Sequence, residues 1–515
     1  MHMVKRLVIV GGGSAGWLTA GVIAAEHRAK TGAGLQVTLL ESPDVPAIGV
    51  GEGTWPTMRD TLRRIGVSES DFLRQCDASF KQGSKFERWV DGREHDYYFH
   101  PFVLPQGYLE TNLVAGWLKR HGTTPFADLV SFQPHLCAQG KAPKQAATPE
   151  FAAVANYAYH LDAGRFGVFL RDFCVRELGV RHVVDHMTGV ESDANSDIAG
   201  VQTRDNGAIA GDLFVDCTGL KSRLLGDHFG VPLLSQEQVL FNDTALALQV
   251  PYAEERAPIA SHTISTAQSA GWIWDIGLPT RRGIGHVYAS SHTTPEAAER
   301  DLLAYVERTG GKPTSSPRRI SFKPGYRRDF WHRNCVAIGL SAGFIEPLEA
   351  SALALVELSA GMLSDEMPAT REAMDIVRRR FNDFFTYRWE RVIDFLKLHY
   401  VLSQRDDSDY WRDNRRPESV PERLKELLAL WRHQPPSRYD LHRVEEVFPS
   451  ASYQYVLYGM GFRPEPEGFS RRADDPDRAD DYFREAAQLT RRMLGGLPSN
   501  RDLLEHIYKT GLPRN

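Results

Sequence analysis

A glycine cluster directly behind an apolar run limits the possible folds of this chain more than any other feature. Leu7-Val8-Ile9-Val10 is apolar and largely β-branched, and Gly11-Gly12-Gly13-Ser14-Ala15-Gly16 follows at once. Such a run reads as a buried parallel strand. Trp17 to Arg28 reads as a helix, and Gln36 to Leu40 as a second strand ending at Glu41. Strand, glycine turn, helix and strand together make a Rossmann-type unit. The first glycine permits a tight turn, the second lets a pyrophosphate approach the backbone, and the third lets helix and strand pack closely. The anion then meets free N–H groups and the positive end of the helix dipole. Glu41 can accept hydrogen bonds from a ribose. It lies a little beyond the usual spacing of about 20 residues, because Thr31-Gly32-Ala33-Gly34 lengthens the connection. Only one such fingerprint is evident. If the dinucleotide is FAD, its electrons are expected to come from another protein.

The 515 residues include 61 basic and 66 acidic ones, a net charge of −5. That balance argues against a dedicated nucleic-acid binder. With 42% apolar and 25% charged residues, the chain is globular and can bury a large core. Cys76, Cys137, Cys174, Cys217 and Cys335 are scattered, without a Cys-x-x-Cys pair. This suggests buried thiols in a reducing compartment, and a cytoplasmic location is the expectation. The first apolar run is too short to span a membrane, and glycines follow it in place of a cleavage site. No metal site is expected, since His135 stands apart from other plausible ligands.

Further along, Asp212 to Asp216 and Cys335 to Gly339 read as strands ending in glycine-bearing turns. Residues 42–56 read as loop. Residues 235–330 alternate apolar and polar positions with turn signals, as in an antiparallel β region. From about residue 350, Leu, Phe and Trp recur at helical spacing, including 420–432. Residues 463–480 read as an exposed loop.

Several segments now combine. Gly11 to Gly16 is followed by Trp17, and a second glycine segment is Gly49-Val50-Gly51-Glu52-Gly53-Thr54. Ala78-Ser79-Phe80-Lys81 leads to Lys85 and Trp89. Gly271-Trp272-Ile273-Trp274-Asp275-Ile276 has the form Trp-x-Trp-x-Ile, and Gly339-Leu340 leads to Glu346-Pro347-Leu348-Glu349. Leu398-His399-Tyr400 precedes Arg405-Asp406-Asp407-Ser408. Together these resemble the flavin-dependent tryptophan halogenases, from about residue 6 to 415.

The resemblance implies an α/β fold. It comprises a Rossmann-type FAD-binding domain, an inserted mostly antiparallel β substrate region and a helix-rich C-terminal part. The expected boundaries are 1–360 and 361–515. It implies FAD, used as FADH2 with oxygen, and chloride or bromide as co-substrate. In the family, halide attacks a flavin hydroperoxide to give hypohalous acid. An electron-rich aromatic, such as an indole, is then halogenated. FADH2 is expected from a separate flavin reductase, and a homodimer is compatible with the family. By resemblance the cofactor contacts are Gly11, Gly13, Ser14, Ala15, Gly16, Glu41, Gly49, Val50, Gly51, Glu52, Gly339 and Leu340. The catalytic pair is Lys81 and Glu349. Backbone N–H groups of Ser351 and Ala352 match the halide position. His100, Pro101, Phe102, Trp272 and Trp274 match the substrate wall.

Each residue type suits its implied role. A lysine amine can form a haloamine or donate a strong hydrogen bond to the oxidant. Lys81 and Lys85 are four apart and would share a helix face, so only the family match separates them. A carboxylate can stabilise positive charge on the attacked ring and accept its proton. Glu346 lies three residues from Glu349 and could be mistaken for it. On a strand, Trp272 and Trp274 point to one face and could wall substrate from flavin. An indole could stack on Phe102 and edge against His100.

Two departures stand out. The family's Ser-Thr-Gly after the glutamate is Ala350-Ser351-Ala352 here, where alanine restricts the backbone more than glycine. The segment from Ser450 to Gly461 lacks the adjacent Tyr-Tyr pair of free-tryptophan halogenases. Indole, a substituted indole or another electron-rich arene is therefore expected in place of free tryptophan. The main rival is a flavin-dependent aromatic hydroxylase, which shares the Asp216-Cys217-Thr218-Gly219 turn but usually has Gly-Asp where this chain has Gly339-Leu340. A degenerate flavoprotein that only binds is a second. A serine hydrolase is a third, because Ser14 and Ser341 each sit in Gly-x-Ser-x-Gly behind a strand.

Overall fold

The computed structural model describes residues 3–32, 34–45, 51–443, 446–465 and 474–514. The chain divides into two units. One comprises Met1–Ala78, Leu161–Glu237 and Phe322–Trp389; the other comprises Ser79–His160, Gln238–Ser321 and Glu390–Asn515.

The first unit is organised by a six-stranded sheet. Its order is Trp331–His332, Cys335–Ala337, Leu213–Asp216, Arg6–Val10, Gln36–Glu41, Arg181–Val184. The pairings are parallel except at the Trp331–His332 edge. Leu7, Val8, Ile9 and Val10 are at most 4% exposed, as an apolar strand covered on both faces should be. The helix Ser14–Glu26 is buried continuously from Gly16 to Ala24. It has no polar face, and a helix of that kind must lie inside. It packs against the helices Ala163–Leu178 and Ser351–Asp365.

The second unit contains a seven-stranded sheet in the order Arg318–Ser321, Thr244–Pro251, Arg281–Tyr288, Gly271–Gly277, Thr263–Gln268, Gly83–Glu87, Tyr97–Pro101. Every pairing is antiparallel except that of Thr263–Gln268 with Gly83–Glu87. The expected antiparallel region is therefore present, and it recruits two strands from far upstream. The helix Pro295–Arg308 covers one sheet face, where Leu302 and Val306 pack on Ile273 and Ile284. The later chain is helical, with Glu422–Trp431, Ser450–Gly459, Pro476–Gly496 and Asn500–Thr510 in this unit. The boundary between the units falls within the 31-residue helix Arg371–Val401. Among the described residues no helix is long and apolar enough to cross a membrane.

Some local expectations change. The first helix starts at Ser14, three residues early, because Gly13 is already extended and serves as its N-cap. Gly51–Gly53 is a short strand within the expected loop. The stretch read as loop to residue 480 becomes helical at Pro476, where Asp475 accepts the N–H groups of Asp477 and Arg478. Proline suits a first helical position because its missing N–H would be unsatisfied there. Lys81 and Lys85 lie on strands, not on a helix. Gly83 between them has φ +149°, and a Cβ there would sit 2.5 Å from the His100 carbonyl oxygen.

Candidate functional site

In the first unit, a cradle forms where the central strands end. Gly11 has φ +117°, and a Cβ on it would lie 2.1 Å from the Cys217 carbonyl oxygen. A Cβ on Gly16 would lie 1.9 Å from the Gly11 carbonyl oxygen, so the close contact of helix and turn requires glycine. A Cβ on Gly12 would collide with the Glu41 carboxyl group, which therefore lies directly over the turn. The other carboxylate oxygen of Glu41 is 2.9 Å from His182 Nε2. Among the described residues, no atom lies within 4 Å of a Cβ placed on Gly13, so the space there is open.

Among the described residues, no side chain caps the helix beginning at Ser14, and its first turn holds no acid. Its leading N–H groups, around Ser14, Ala15 and Gly16, cannot be satisfied by the helix itself. Gly339 approaches the same helix start: a Cβ on it would lie 2.7 Å from that of Ala15. It carries half-buried Leu340 with it. Open space, uncapped donors and an overhanging carboxylate fit a dinucleotide, with pyrophosphate at the helix and a ribose at Glu41.

Asp216 secures the neighbouring turn. Its Oδ1 accepts from Thr218 N and Oγ1 at 3.0 and 2.6 Å, and its Oδ2 accepts from Leu224 N and Leu225 N at 2.9 and 2.8 Å. Ser341 Oγ donates to the Asp216 backbone carbonyl and to that of Ile338. Ser14 Oγ donates to the Ala163 carbonyl. Both Gly-x-Ser-x-Gly hydroxyls are thus engaged by backbone carbonyls. Gly49 and Val50 lie outside the described residues. Gly51 is buried, and half-buried Glu52 is pushed up to about 7 by loss of water and then by Asp162.

The Glu346 to Ala352 segment belongs to this unit. Glu346 and Glu349 are 1% and 3% exposed, so burial does not separate them. Position does. Glu349 directly precedes Ala350, which is left-handed at φ +55° and is the N-cap of the helix Ser351–Asp365. Among the described residues no side chain caps that helix, and its first turn holds no acid. The N–H groups of Ser351 and Ala352 stand at its positive end, where an anion is favoured. Ala352 adopts ordinary helical geometry, and the strained position is Ala350. Trp55 Nε1 donates to the Glu349 carbonyl oxygen at 2.7 Å. Two turns further on, Glu357 accepts from Thr61 Oγ1 at 2.6 Å and from Thr57 Oγ1 at 3.4 Å. Burial pushes the Glu357 carboxyl up to about 8.

In the second unit, Lys81 is 1% exposed, and its Nζ lies 5.5 Å from the centroid of Phe102. Lys85 is half-buried and forms a 2.7 Å ion pair with Glu87. The two lysines therefore differ in surroundings as well as in family match. His160 lies on the strand beside Lys81, with Nε2 2.8 Å from Thr263 Oγ1. Burial, then the charge of Lys81, holds His160 well below the usual histidine range. Pro101 is buried and Phe102 half-buried.

His100 reaches Ser452 Oγ with Nε2 at 2.9 Å and packs beside Phe395, Phe448 and Tyr455. The helix Ser450–Gly459 is thus a direct neighbour of the wall segment. Trp272 and Trp274 are 1% and 7% exposed, with ring centroids 6.4 Å apart. Trp274 lies over Gly285, where a Cβ would come within 2.1 Å of the ring. His135 Nε2 lies 2.8 Å from the Asp128 carbonyl oxygen, a structural contact.

Sequence reasoning missed Trp55, Gln133, Asn156 and His182. Each acts through a bond to a residue distant in the chain, and none carries a local signature. Asp216 had one, since Thr follows it two residues later as in a side-chain-stabilised turn.

A family model described as "Tryptophan halogenase" matches residues 6–475. The chain is 33% identical to the 7-chloro-L-tryptophan 6-halogenase of Kutzneria sp. (strain 744), covering 97% of this chain and 99% of that protein. It is 31% identical to the tryptophan 7-halogenase of Lentzea aerocolonigenes, with coverages of 98% and 99%. A solved tryptophan halogenase from Shewanella frigidimarina superposes with a TM-score of 0.95 at 47% identity, covering 100% of this chain and 99% of that one. A flavin-dependent halogenase from Brevundimonas sp. BAL3 gives a TM-score of 0.87 at 33% identity, with coverages of 98% and 99%.

Proposed function

We propose, from the premise that this chain belongs to the tryptophan halogenase family and is a flavin-dependent halogenase, that it places chloride or bromide on one carbon of an indole-type arene. The observation that carries this reading is Lys81, a buried lysine with its amine over the Phe102 ring.

Gly11, Gly13, Ser14, Ala15, Gly16, Glu41, Gly51, Glu52, Gly339 and Leu340 would hold FAD. Bound as FADH2, and with dioxygen, it supplies the oxidising power that converts halide to hypohalous acid. A separate reductase provides the electrons, since one dinucleotide fingerprint is present in the sequence.

The N–H groups of Ser351 and Ala352 bind the halide at the positive helix end. Lys81 captures the oxidised halogen at Nζ, as a haloamine formed from hypohalous acid with release of water or by a strong hydrogen bond to that acid, and presents it to one ring carbon. Phe102 stacks on the arene and fixes its plane. Glu349 stabilises the positive charge that builds on the attacked ring and takes the proton lost when aromaticity returns. Trp272 and Trp274 keep the arene away from the flavin, so halogen and not oxygen is transferred.

The relatives' names specify tryptophan positions, which supports an indole ring as the acceptor. Ser450–Gly459 contacts His100 yet lacks the adjacent tyrosine pair. That supports an indole without a free amino-acid head group.

Product mass spectrometry tests the reading. Enzyme, FAD, a flavin reductase and NADH are mixed with indoles and phenols, once with chloride and once with bromide. A halogen isotope pattern is expected. A product gaining only oxygen would overturn it in favour of the hydroxylase.

A further inference from the structure

We infer that Gln133 is a positioning residue: it clamps the backbone of Phe102 and Val103 to the lysine strand and so determines which carbon of the arene meets Lys81. The inference rests on the proposed roles of Lys81 and Phe102.

Phe102 and Val103 follow the last residue of the strand Tyr97–Pro101, where the ladder gives way to one long 3.3 Å bond from the Phe102 N–H to the Gln82 carbonyl. Backbone groups that leave a ladder inside a protein need other partners. Here each of the four main-chain polar groups meets a side chain. The N–H groups of Phe102 and Val103 both donate to Gln133 Oε1, at 2.8 and 2.9 Å. Asn156 Nδ2 donates to the Phe102 carbonyl at 2.9 Å, and Tyr455 OH donates to that of Val103 at 3.0 Å.

Gln133 is itself fully buried and fixed from the other end. Its Nε2 donates to the Asn156 carbonyl at 2.6 Å and, less closely, to Gln82 Oε1 at 3.4 Å. Gln82 follows Lys81 directly. Its carbonyl accepts the Phe102 N–H at 3.3 Å, and its amide donates to the Lys141 carbonyl at 2.7 Å. A single amide thus accepts from the wall and donates toward the lysine strand.

Glutamine matches this environment chemically. It presents one oxygen with two lone pairs and two N–H donors on a stem of the required length. Glutamate keeps the acceptor and loses the donors. Leucine keeps neither, and asparagine is one methylene shorter. Misplacement of a reacting group by about 1 Å can cost on the order of 100-fold in rate, so a loosened Phe102 should change the outcome at the ring and not only the stability.

The test compares Gln133→Leu with Gln133→Glu. The activity-independent readout is hydrogen exchange at the Phe102 and Val103 amides. Gln133→Leu should speed Val103 by about tenfold or more, because it loses a buried acceptor, and Phe102 by less, because the Gln82 carbonyl still accepts its N–H. Gln133→Glu should keep them close to wild type. Both variants should melt earlier, since both lose the bond to the Asn156 carbonyl. The ratio of halogenated regioisomers should follow exchange and not melting temperature: mixed for Gln133→Leu, near wild type for Gln133→Glu.

Unchanged exchange in Gln133→Leu would overturn the inference. So would an unchanged isomer ratio despite fast exchange, which would make Gln133 merely structural. If Gln133→Leu does not fold, Gln133→Asn retains the groups on a shorter stem, and the same faster exchange and mixed isomers are expected. A wild-type enzyme that hydroxylates would sink the halogenase reading, whereas exchange would still decide whether the clamp exists.

Discussion

The indole N–H of Trp55 donates a 2.7 Å hydrogen bond to the backbone carbonyl of Glu349, inside the protein. This bond ties the segment after Gly51–Gly53 to the turn that carries the proposed proton acceptor and halide donors. It also steadies the left-handed Ala350 that follows. Trp55→Phe keeps most of the ring packing and leaves the carbonyl without that donor. A typical hydrogen bond contributes about 0.5–1.5 kcal/mol. We expect a lower melting temperature and a several-fold rise in KM for halide, with FAD affinity close to wild type. Titration of chloride at saturating arene checks this, and an unchanged halide KM would remove Trp55 from the site.

Lys81→Ala should leave FADH2 oxidation running while halogenated product disappears. In the proposed sequence the Lys81 amine, buried over the Phe102 ring, carries the oxidised halogen, and alanine has no group that can. Paired assays of flavin oxidation and product mass decide the point. Normal product formation would transfer the role to another group.

Glu349→Gln should retain FAD and slow halogenation by about 100-fold or more, the usual scale for losing a general base. The amide preserves shape but cannot take the ring proton. Single-turnover product formation is the measurement, and a near wild-type rate would assign the proton to another acceptor.

The legible parts of this protein are those encoded locally. Gly11 to Gly16 and Glu41 could be read because strand, turn and helix are consecutive, and the structure gathers them at one cradle. Trp272 and Trp274 share a face because the period of a strand is two. The relation between Lys81 and Lys85 was misread because a spacing of four suggests a helix face, whereas the chain bends at Gly83 between two strands. The recruitment of Gly83–Glu87 into the large sheet depends on pairing with Thr263–Gln268, a contact no local pattern announces. Trp55 and Gln133 were invisible for a related reason. Their bonds run from a side chain to remote backbone, and such bonds leave no periodic trace.

Glu357 offers a prediction in pH. Its carboxyl, held by Thr57 and Thr61, is pushed up to about 8 by burial, against about 4.3 for an exposed glutamate. Between those values the folded protein keeps a proton that the unfolded chain releases. Stability from this group is therefore fully present at about pH 4, below the unfolded value, and is lost as pH rises through 8. Each tenfold preference for the protonated form is worth about 1.4 kcal/mol. Glu357→Gln imitates the protonated carboxyl at every pH. The variant should melt at nearly the wild-type temperature at pH 5 and above it at pH 8.5, by up to about 2 °C for each kcal/mol regained in a chain of this length. Melting curves of both proteins across this range provide the check. Parallel curves would mean that Glu357 is ionised in the folded protein throughout.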